Sequence, residues 1–400
     1  MPEPSSGEIS VDEARRRMLA DLAPAAETVP LTAALGRTLY AQIAALRDQP
    51  PFDASAMDGY AIRPGDLSGP FRVIGESAAG KPFIGEVAAG EAVRIFTGAC
   101  VPSGCRVIVQ ERAQRSGDTV AFEAHTPASM NVRPRGGDFE AGQVLLPAGA
   151  RLDAWSLALA AATGQGTLQL AARPRVAILS TGEEIVKAGD TATGAQIFDS
   201  NGPALAALIT SWGGVAIPLE PAKDDAAAIA AAAAAVACDL ILTVGGASVG
   251  DHDLVKPAMQ RLGLTLLVET VRLRPGKPTW FGRLADGRRV LGLPGNPASA
   301  LVCAELFLRP LLAAWQGADP ALPMQTARLA TALPPVGPRE HWMRARLSFA
   351  DGMVTATPFS DQDSSLIAVF ADSDALLRRP AGLPAAAVGD VVELLRLDRL

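Results

Sequence analysis

The chain has 400 residues, a formal net charge of −6, 49% apolar residues and 20% charged residues. Because an ordinary domain has ~150 residues and this chain can fill sizeable cores, we expect a globular protein of two to four domains. The negative charge argues against bulk binding to nucleic acid or to an anionic membrane, and the aromatic content of 5% argues against a surface that stacks single strands.

No segment is predicted to carry the chain to or through a membrane. The longest bland apolar stretch, residues 226–237, is shorter than the ~20 residues that span a bilayer. The N-terminus is polar and lacks the apolar core of a secretory signal. The four cysteines form no C-x-x-C pair and the three histidines are scattered, so we expect a reduced, cytoplasmic protein without a zinc site.

The first half of the chain is predicted to be a helical domain that is split by a β insertion. Residues 1–46 are predicted to be largely helical, because Ser10 and Glu13 form a capping-box pattern at the start of a helical run. Residues 47–138 contain short apolar runs between glycines and prolines, which is typical of a β module. Helical character then returns, so residues 139–172 are expected to complete the split domain.

The second half is predicted to hold an α/β domain over residues 173–317 and a small β-barrel-like domain over residues 318–400. In the α/β domain, strand-like runs alternate with helical stretches, which predicts a doubly wound parallel sheet. Such sheets bind ligands beyond the carboxyl ends of their strands. The predicted strands cover residues 176–180, 215–219, 240–244 and 289–293, and the predicted helices cover residues 203–212, 225–237, 253–262 and 297–315.

Four loops rich in glycine, proline or polar residues belong to this α/β domain, where a ligand is expected. Glycine lets the backbone approach a ligand, and N–H groups at a helix N-terminus bind anions without a charged side chain. Arg274 and Lys277 would add positive charge, and Asn296 is expected to cap a helix that starts at Pro297. The alternative is that each loop is an ordinary turn. The loops cover residues 181–184, 245–253, 274–278 and 294–299.

Carboxylates stand beside these candidate anion sites. Proteins hold Mg²⁺ with one or two carboxylates together with phosphate oxygens and water, so the pattern suits a metal-assisted reaction on a phosphorylated substrate. The alternative is that acidic residues in a helix's first turn complement its dipole, which applies best to Asp224, Asp225 and Asp253. The acidic residues near the loops are Glu183, Glu184, Asp224, Asp225, Asp251 and Asp253.

Three segments of the β module give a weaker signal, and taken alone they predict only structured loops. A near-match to a phosphate-binding P-loop at residues 75–81 fails, because Pro82 stands where the motif needs a serine or threonine to bind Mg²⁺. The three segments are residues 51–61, 94–99 and 133–138.

Seven motifs in a fixed order resemble the MoeA/gephyrin family, and the resemblance extends over nearly the whole chain. The family implies an elongated four-domain homodimer with one α/β domain shared with the molybdopterin adenylyltransferases. Its active cleft lies between the α/β domain of one subunit and the inserted β domain of the other. The motifs read SAMDGYA (55–61), RIFTGA (94–99), RPRGGD (133–138), STGEE (180–184), GGASVGDHD (245–253), RPGKP (274–278) and LPGNPASA (293–300).

The resemblance implies an enzyme of molybdenum-cofactor biosynthesis. Family members insert molybdate into the dithiolene of adenylylated molybdopterin and release AMP with the help of Mg²⁺. Two other functions stay open: an Mg-ATP-dependent molybdopterin adenylyltransferase, and a non-catalytic molybdopterin-binding or scaffold protein. A molybdopterin adenylyltransferase is also an expected partner.

The resemblance also implies the site residues, by position within the motifs. Glu184 and Asp253 are expected at the metal and the pyrophosphate, and Asp58 and Thr97 are expected to come from the other subunit. Molybdate is a tetrahedral dianion, which suits a Lys/Arg pair and a hydroxyl group. The expected catalytic residues are Asp58, Thr97, Asp138, Glu184, Asp224 and Asp253. The expected substrate- and molybdate-binding residues are Gly245, Gly246, Ser248, Arg274, Lys277, Pro278, Pro294, Pro297, Ser299, Arg344 and Ser365.

Two positions depart from the family pattern while keeping their charge. Glu183 stands where the family commonly has aspartate, and Arg274 stands where lysine is frequent. Arginine presents a planar fork and lysine a point charge, so Arg274 changes the geometry of anion binding and not its sign.

Overall fold

The computed structural model describes residues 7–65, 69–123, 129–221, 225–245, 254–350 and 352–397. The chain begins with one strand and one helix and continues mostly as extended chain. These elements are β1 (Glu8–Ile9), α1 (Val11–Met18), β2 (Ala26–Pro30), a 3-10 turn (Leu31–Ala33) and β3 (Ile43–Ala44).

Among the described residues up to 46, the predicted α-helix is found only in α1. Its cap is Ser10, whose hydroxyl accepts a hydrogen bond from Glu13 N (3.2 Å). The Glu13 carboxylate turns to Arg16 and Arg17 instead of completing the capping box. Beyond the helix, prolines disfavour helical hydrogen bonding, and β2 pairs with a distant strand described below.

The inserted module is a β domain, as predicted. Its strands are β4 (Ala54–Ser55), β5 (Gly59–Ile62), β6 (Phe71–Ser77), β7 (Glu91–Ile95), β8 (Arg106–Val109), β9 (Ala113–Ser116), β10 (Thr119–Phe122) and β11 (Val132–Arg133), with a 3-10 turn at Gln110–Arg112. Six strands form one sheet in the order β8-β5-β7-β6-β10-β9, and β4 pairs with β11. The insertion therefore has its own sheet and its own apolar clusters.

After the insertion the chain returns to the domain in which it started. The returning elements are β12 (Val144–Leu146), α2 (Ala154–Ala162) and β13 (Thr167–Ala171). β12 pairs with β3 and β13 pairs with β2, so two strand pairs join the halves of this split domain. Helix α2 begins at Asp153, whose carboxylate accepts hydrogen bonds from Ser156 N and Ser156 Oγ (both 2.7 Å).

The α/β domain follows. Its elements are β14 (Arg175–Ser180), β15 (Ile185–Val186), β16 (Ile197–Phe198), α3 (Asn201–Ser211), β17 (Val215–Pro218), α4 (Ala226–Ala235), β18 (Leu240–Val244), α5 (Val255–Arg261), β19 (Thr265–Val268), β20 (Thr270–Val271), β21 (Leu273–Arg274), β22 (Trp280–Arg283), β23 (Arg289–Leu293), α6 (Pro297–Cys303), a π-helical segment (Ala304–Leu308) and α7 (Arg309–Trp315).

The predicted parallel sheet is confirmed. Its strand order is β17-β14-β18-β23-β22-β19, with the first four strands parallel and the last two antiparallel. β14, β18 and β23 are almost continuous apolar runs, because helices cover both faces of such a sheet. The helix over Pro297–Trp315 is apolar and long enough to cross a membrane, but 78% of its most apolar window is buried within the fold, as in a core helix.

The last domain is a small closed barrel. Its elements are β24 (Met324–Leu329), β25 (Glu340–Ala350), β26 (Met353–Pro358), α8 (Ile367–Ala371), β27 (Ala375–Arg379) and β28 (Val391–Arg396). The order β25-β26-β24-β28-β27 closes through a pairing of β25 with β27. β21 of the α/β domain adds to β25, which joins the two domains by main-chain hydrogen bonds.

The N-terminal segment belongs in space to the α/β domain. β1 pairs in parallel with β20, and the buried face of α1 enters the α/β core through Val11, Ala14 and Met18. Farther along, Arg289 donates to the carbonyls of Ala20 and Asp21. The chain thus clips onto the α/β domain before it enters the split domain.

Candidate active site

Asp58 and Thr97, predicted from separate motifs, form one unit. Asp58 precedes β5 and Thr97 follows β7, and these strands are neighbours. Asp58 Oδ1 accepts hydrogen bonds from Thr97 N and Thr97 Oγ1, both at 2.7 Å. These two bonds, together with the nearby charge of Arg94, hold the pKa of Asp58 below its usual value. The unit therefore offers a half-buried carboxylate that stays ionised beside an exposed threonine.

Arg94 stabilises the Asp58–Thr97 unit through contacts with the residues around it. Its guanidinium donates to Gly59 O (2.9 Å) and Gln110 Oε1 (2.7 Å), and its carbon Cζ lies 4.6 Å from the Phe96 ring centroid and 5.2 Å from that of Tyr60. Gln110 N in turn donates to the carbonyl of Asp58. One side chain thus ties together the segments that precede Thr97 and follow Asp58.

The third β-module segment lies against the first one. Arg135 N donates to Asp53 Oδ1 (2.9 Å), and Gly136 N donates to Pro50 O (2.9 Å). Asp138 itself is exposed, and its backbone N–H donates to Gln49 O. Segments 51–61, 94–99 and 133–138 are therefore joined by hydrogen bonds, although the Asp138 side chain is not bonded to the Asp58–Thr97 unit.

The strand ends of the α/β sheet bring the predicted anion loops together. Thr181 N donates to Val244 O (3.0 Å), and Gly245 N donates to Leu293 O (3.3 Å). Gly245 has φ +89°, and a Cβ there would lie 2.8 Å from the Thr181 carbonyl oxygen, so only glycine fits. Glu183 and Glu184 are exposed beside this edge, which leaves their carboxylates open to a ligand.

Part of the predicted site lies outside the described residues. This applies to Asp224, Gly246, Ser248 and Asp253, together with the neighbouring Asp251. In the part of the chain that the structure describes, no group of three or more His, Cys, Asp or Glu side chains is placed to hold a metal ion.

The sequence reasoning missed a polar group at the start of α3. Asp199 accepts hydrogen bonds from Ser180 Oγ (3.0 Å) and Gly202 N (2.9 Å). Asn201 donates to Gly295 O (2.8 Å), and its Oδ1, like Thr181 Oγ1, is buried without a partner among the described residues. The sequence feature that could have indicated this group is an acid and an amide, Asp199 and Asn201, shortly after the strand-like pair Ile197–Phe198. These side chains tie together the loops after β14 and β23.

The loop at residues 274–278 is held from inside the domain. Gly276 has φ +116°, and a Cβ there would lie 2.3 Å from Cys303 Sγ. Thr279 Oγ1 donates to Gly276 O (2.8 Å) and lies 3.1 Å from Cys303 Sγ. Burial raises the pKa of Cys303 to about 12, so this thiol stays protonated and packs against the loop.

The cations of that loop have different surroundings. Arg274 is exposed and forms one wall of a cavity of about 1070 Å³, together with Arg339, His341 and Arg379 of the barrel. Lys277 is half-exposed, and its Nζ lies 2.5 Å from Glu8 Oε1. Pro278 next to it is partly buried. The loop therefore presents one open cation and one cation that an internal carboxylate already holds.

The N-terminus of α6 is covered by the last domain. Ala298 N donates to Ser364 O (2.9 Å), and the Asn296 side chain donates to Ser364 Oγ (2.8 Å). Asn296 is at the N-cap position of α6, as predicted, but its side chain makes no capping hydrogen bond, because the contact with Ser364 turns the amide toward the barrel. Pro297 is at the first helical position as predicted, and Pro294 and Ser299 are buried.

Arg344 and Ser365 are less available than a binding role suggests. Arg344 is 1% exposed, with Nε and Nη1 bonded to Gln362 Oε1 and Leu366 O (3.3 and 3.2 Å) and Nη2 buried without a partner among the described residues. Ser365 is exposed, and its N and Oγ donate to Asp363 Oδ1 (2.8 and 2.6 Å). An anion could use the unpaired Nη2 of Arg344 only after a local rearrangement.

Burial and neighbouring arginines make His341 of this cavity sensitive to acid. Burial first, and then the charges of Arg274, Arg344, Arg339 and Arg379, lower the pKa of His341 from 6.5 to about 4. Between these values the unfolded chain binds a proton that the folded chain does not. Stability should therefore fall as pH drops through this window, by at most about 3 to 4 kcal/mol.

Urea denaturation at several pH values across that window checks this expectation. In His341→Gln the glutamine does not titrate, so the loss of stability over this range should become smaller. A variant with the same pH dependence as the unchanged protein would contradict the assignment to His341.

Three family models match the chain in order. They are described as MoeA N-terminal region (domain I and II), over residues 9–164, probable molybdopterin binding domain, over residues 177–314, and MoeA C-terminal region (domain IV), over residues 326–397.

Similar proteins span most or all of the same length. A molybdopterin molybdenumtransferase of Haemophilus influenzae is 37% identical over 77% of this chain and 78% of its own. Molybdopterin molybdenumtransferase 2 of Mycobacterium tuberculosis is 35% identical over 96% of this chain and 98% of its own. A crystal structure of a molybdopterin biosynthesis MoeA protein from Pyrococcus horikoshii superposes with a TM-score of 0.84 at 30% identity, and covers 98% of this chain and 100% of that one.

Proposed function

The chain belongs to the MoeA family of molybdopterin molybdenumtransferases, which insert molybdenum into molybdopterin, and from this premise we propose the substrates and residues of its reaction. The substrates are adenylylated molybdopterin and molybdate, and the products are molybdenum cofactor and AMP. The observation that carries the proposal is the convergence of the loops after β14, β18 and β23 on one sheet edge, with the 274–278 loop supplying positive charge.

This edge suits the pyrophosphate of an adenylylated substrate. Gly245 and Gly295 leave the backbone bare where the loops touch, since a Cβ on Gly295 would lie 3.4 Å from Gly245 Cα. The Thr181 hydroxyl, which has no partner among the described residues, adds a hydrogen-bond donor beside the same edge. With a net charge of −6, the protein must hold a polyanion by such local groups and not by its overall field.

Molybdate fits the cationic loop beside this edge. Arg274 and Lys277 supply the charge. The hydroxyl of the buried Ser299 and the unpaired Nη2 of the buried Arg344 would join them after a local rearrangement. In the proposed arrangement Arg274 carries the first contact, because the cavity exposes its guanidinium.

Asp58 and Thr97 complete the reaction centre in this proposal. The Asp58 carboxylate is ionised and oriented by Thr97, so it can accept a hydrogen bond from, and align, the nucleophile that cleaves the pyrophosphate. No protein nucleophile is required. Asp138 lies on the same set of joined segments, and its exposed carboxylate would act on substrate and not on Asp58.

Mg²⁺ fits the donor chemistry of this site. Mg²⁺ usually binds through one or two carboxylates together with phosphate oxygens and water, and the exposed Glu184 offers such a carboxylate. Glu184 and Asp253 would hold the ion. When bound, Mg²⁺ would neutralise charge on the pyrophosphate.

We propose a homodimer in which the two halves of the site come from different subunits. All hydrogen bonds found for Asp58 and Thr97 stay within the inserted domain, and none of them reaches the sheet edge of the α/β domain where we place the substrate. A second subunit could bring that edge to them. A second copy also has a surface to cover: α2 carries no charged side chain, its Trp155 is 82% exposed, and the nearby Leu46 is 67% exposed.

Mixing two inactive variants tests the shared site. If Asp58 acts with Glu184 of the other subunit, a mixed dimer of Asp58→Asn and Glu184→Gln contains one site with both native residues. Refolded or co-expressed mixtures should then recover about a quarter of the activity, since half of the dimers are mixed and half of their sites are intact. Mixtures that stay inactive although mixed dimers are isolated would show that each site lies within one chain.

The reaction itself is tested by incubating the protein with adenylylated molybdopterin, molybdate and Mg²⁺ and by following AMP and active cofactor. Molybdate-dependent release of AMP supports the proposal. Formation of adenylylated molybdopterin from Mg-ATP would identify an adenylyltransferase instead, and binding without turnover would identify a scaffold. An enzyme that adenylylates molybdopterin must supply the substrate, and we place both steps in the cytoplasm, in keeping with the free thiols of all four cysteines.

A further inference from the structure

The strand β20 fixes two opposite charges beside each other. On one side β1 pairs with β20 in the register Glu8–Thr270 and Ile9–Val271, and Arg272 N donates to Ile9 O (2.8 Å). From the other direction, Val271 N donates to the backbone carbonyl of Lys277 (3.0 Å). Both backbones are therefore bonded to the same short segment, which sets the distance between their side chains.

Those side chains meet. Glu8 Oε1 lies 2.5 Å from Lys277 Nζ, and the Glu8 side chain is only 15% exposed, whereas that of Lys277 is 49% exposed. Helix α1 keeps the carboxylate in place, because it follows β1 directly and its apolar face is buried in the α/β core. The pair is thus built by the fold and is not a chance meeting of two mobile surface chains.

The pair has a consequence for any anion at this loop. An ammonium group that already faces a carboxylate attracts a second anion less, and the carboxylate repels that anion directly. Arg274, on the same loop, has no ion pair in the described part of the chain and is not weakened in this way. The loop therefore has less positive charge than its sequence indicates.

We infer that Glu8 is an internal competitor for the oxyanion at Lys277 and sets the affinity of the loop for molybdate. This inference rests on the proposed role of Lys277 in binding molybdate. In the protein without substrate, the Glu8 carboxylate orients the Lys277 ammonium group and weakens the binding of other small anions. When molybdate binds, it shares or takes over the ammonium, and its affinity is lower by the work of weakening the Glu8–Lys277 pair. Glu8 is thus a positioning residue that adjusts substrate affinity and touches no reacting atom.

The experiment compares molybdate binding to the full-length protein by isothermal titration calorimetry. Glu8→Gln keeps the shape and the hydrogen-bonding oxygen of the side chain but removes its charge, and we expect its Kd for molybdate to fall roughly tenfold, which is about 1.4 kcal/mol. Glu8→Asp keeps the charge on a shorter side chain, so its Kd should lie closer to that of the unchanged protein than to that of Glu8→Gln. Glu13→Gln removes the same charge from α1, where Glu13 faces only Arg16 and Arg17, and it should leave the Kd unchanged.

Lys277→Gln separates this inference from the proposed function. If Lys277→Gln weakens molybdate binding and Glu8→Gln strengthens it only when Lys277 is present, the inference holds. If Lys277→Gln weakens binding but Glu8→Gln leaves it unchanged or weaker, Glu8 does not compete and the inference is overturned, while the molybdate site stands. If Lys277→Gln has no effect, the assignment of Lys277 fails and the inference falls with it.

Discussion

Asp58→Asn should lower the rate of molybdate-dependent AMP release by about two to three orders of magnitude. The substitution keeps the shape of the side chain but removes the charge that the two hydrogen bonds from Thr97 stabilise. An amide can also turn its NH₂ group toward Thr97, which would push the hydroxyl out of line. The loss should fall on kcat more than on KM, because the carboxylate orients the reacting groups and does not anchor the substrate.

The chain offers a matched control for this experiment. Asp153 at the start of α2 accepts hydrogen bonds from the backbone N–H and the hydroxyl of Ser156, the same arrangement that Asp58 has with Thr97. Asp153→Asn should cost some helix stability and leave AMP release unchanged. If both variants lose activity equally, the effect is one of folding and Asp58 has no special part in the reaction.

Gly59→Ala should unfold the inserted domain at ordinary temperature. A Cβ at residue 59 would lie 1.9 Å from the carbonyl oxygen of Ile108, which is main chain in a neighbouring strand and cannot move aside. Gly59 lies in the fully buried strand β5 between β8 and β7, so the cost should reach about 4 kcal/mol or more. The Asp58–Thr97 unit would be lost with the sheet.

Thermal unfolding followed by circular dichroism, together with limited proteolysis of residues 47–138, measures this effect. Gly166→Ala is the matched control, because nothing lies within 4 Å of a Cβ there and its backbone is in an ordinary conformation. A Gly59→Ala protein that melts like Gly166→Ala would mean that β5 and β8 are farther apart than the structure shows.

The parallel sheet could be predicted almost residue by residue. β18 and β23 match the predicted runs at both ends, because each is an almost continuous apolar stretch that is followed by a glycine or a proline. The pairing of β2 with β13 could not be predicted, since it joins segments about 140 residues apart and neither carries a strong pattern of its own. The structure of residues 26–30 is therefore set by pairing with a distant strand and not by local secondary-structure propensity.

Some residues of the site could likewise be predicted from the sequence, whereas their surroundings could not. Asp58 and Thr97 were predicted as site residues from two separate motifs, and the structure shows a hydrogen bond between their side chains that the motifs did not predict. The surroundings of Arg344 and Lys277 could not be predicted from the sequence. Arg344 is hydrogen-bonded to Gln362 and Lys277 is paired with Glu8, and both contacts depend on how separate segments of the chain meet in the fold. Asp199 and Asn201 were missed because short polar residues are common at any helix N-terminus, so their presence at the start of α3 did not point to a site.

The N-terminal clip has a consequence for how this protein can be cut or rearranged. A gene fragment that starts at residue 173 would encode every strand of the α/β sheet, yet it would lack Val11, Ala14 and Met18, which are at most 3% exposed in that core. Such a fragment would expose an apolar groove and would free Lys277 from Glu8. The α/β domain is continuous in sequence from residue 173, but its folded core also contains residues of the N-terminus. A recombinant or evolutionary transfer of this domain therefore has to include residues 7–18 as well.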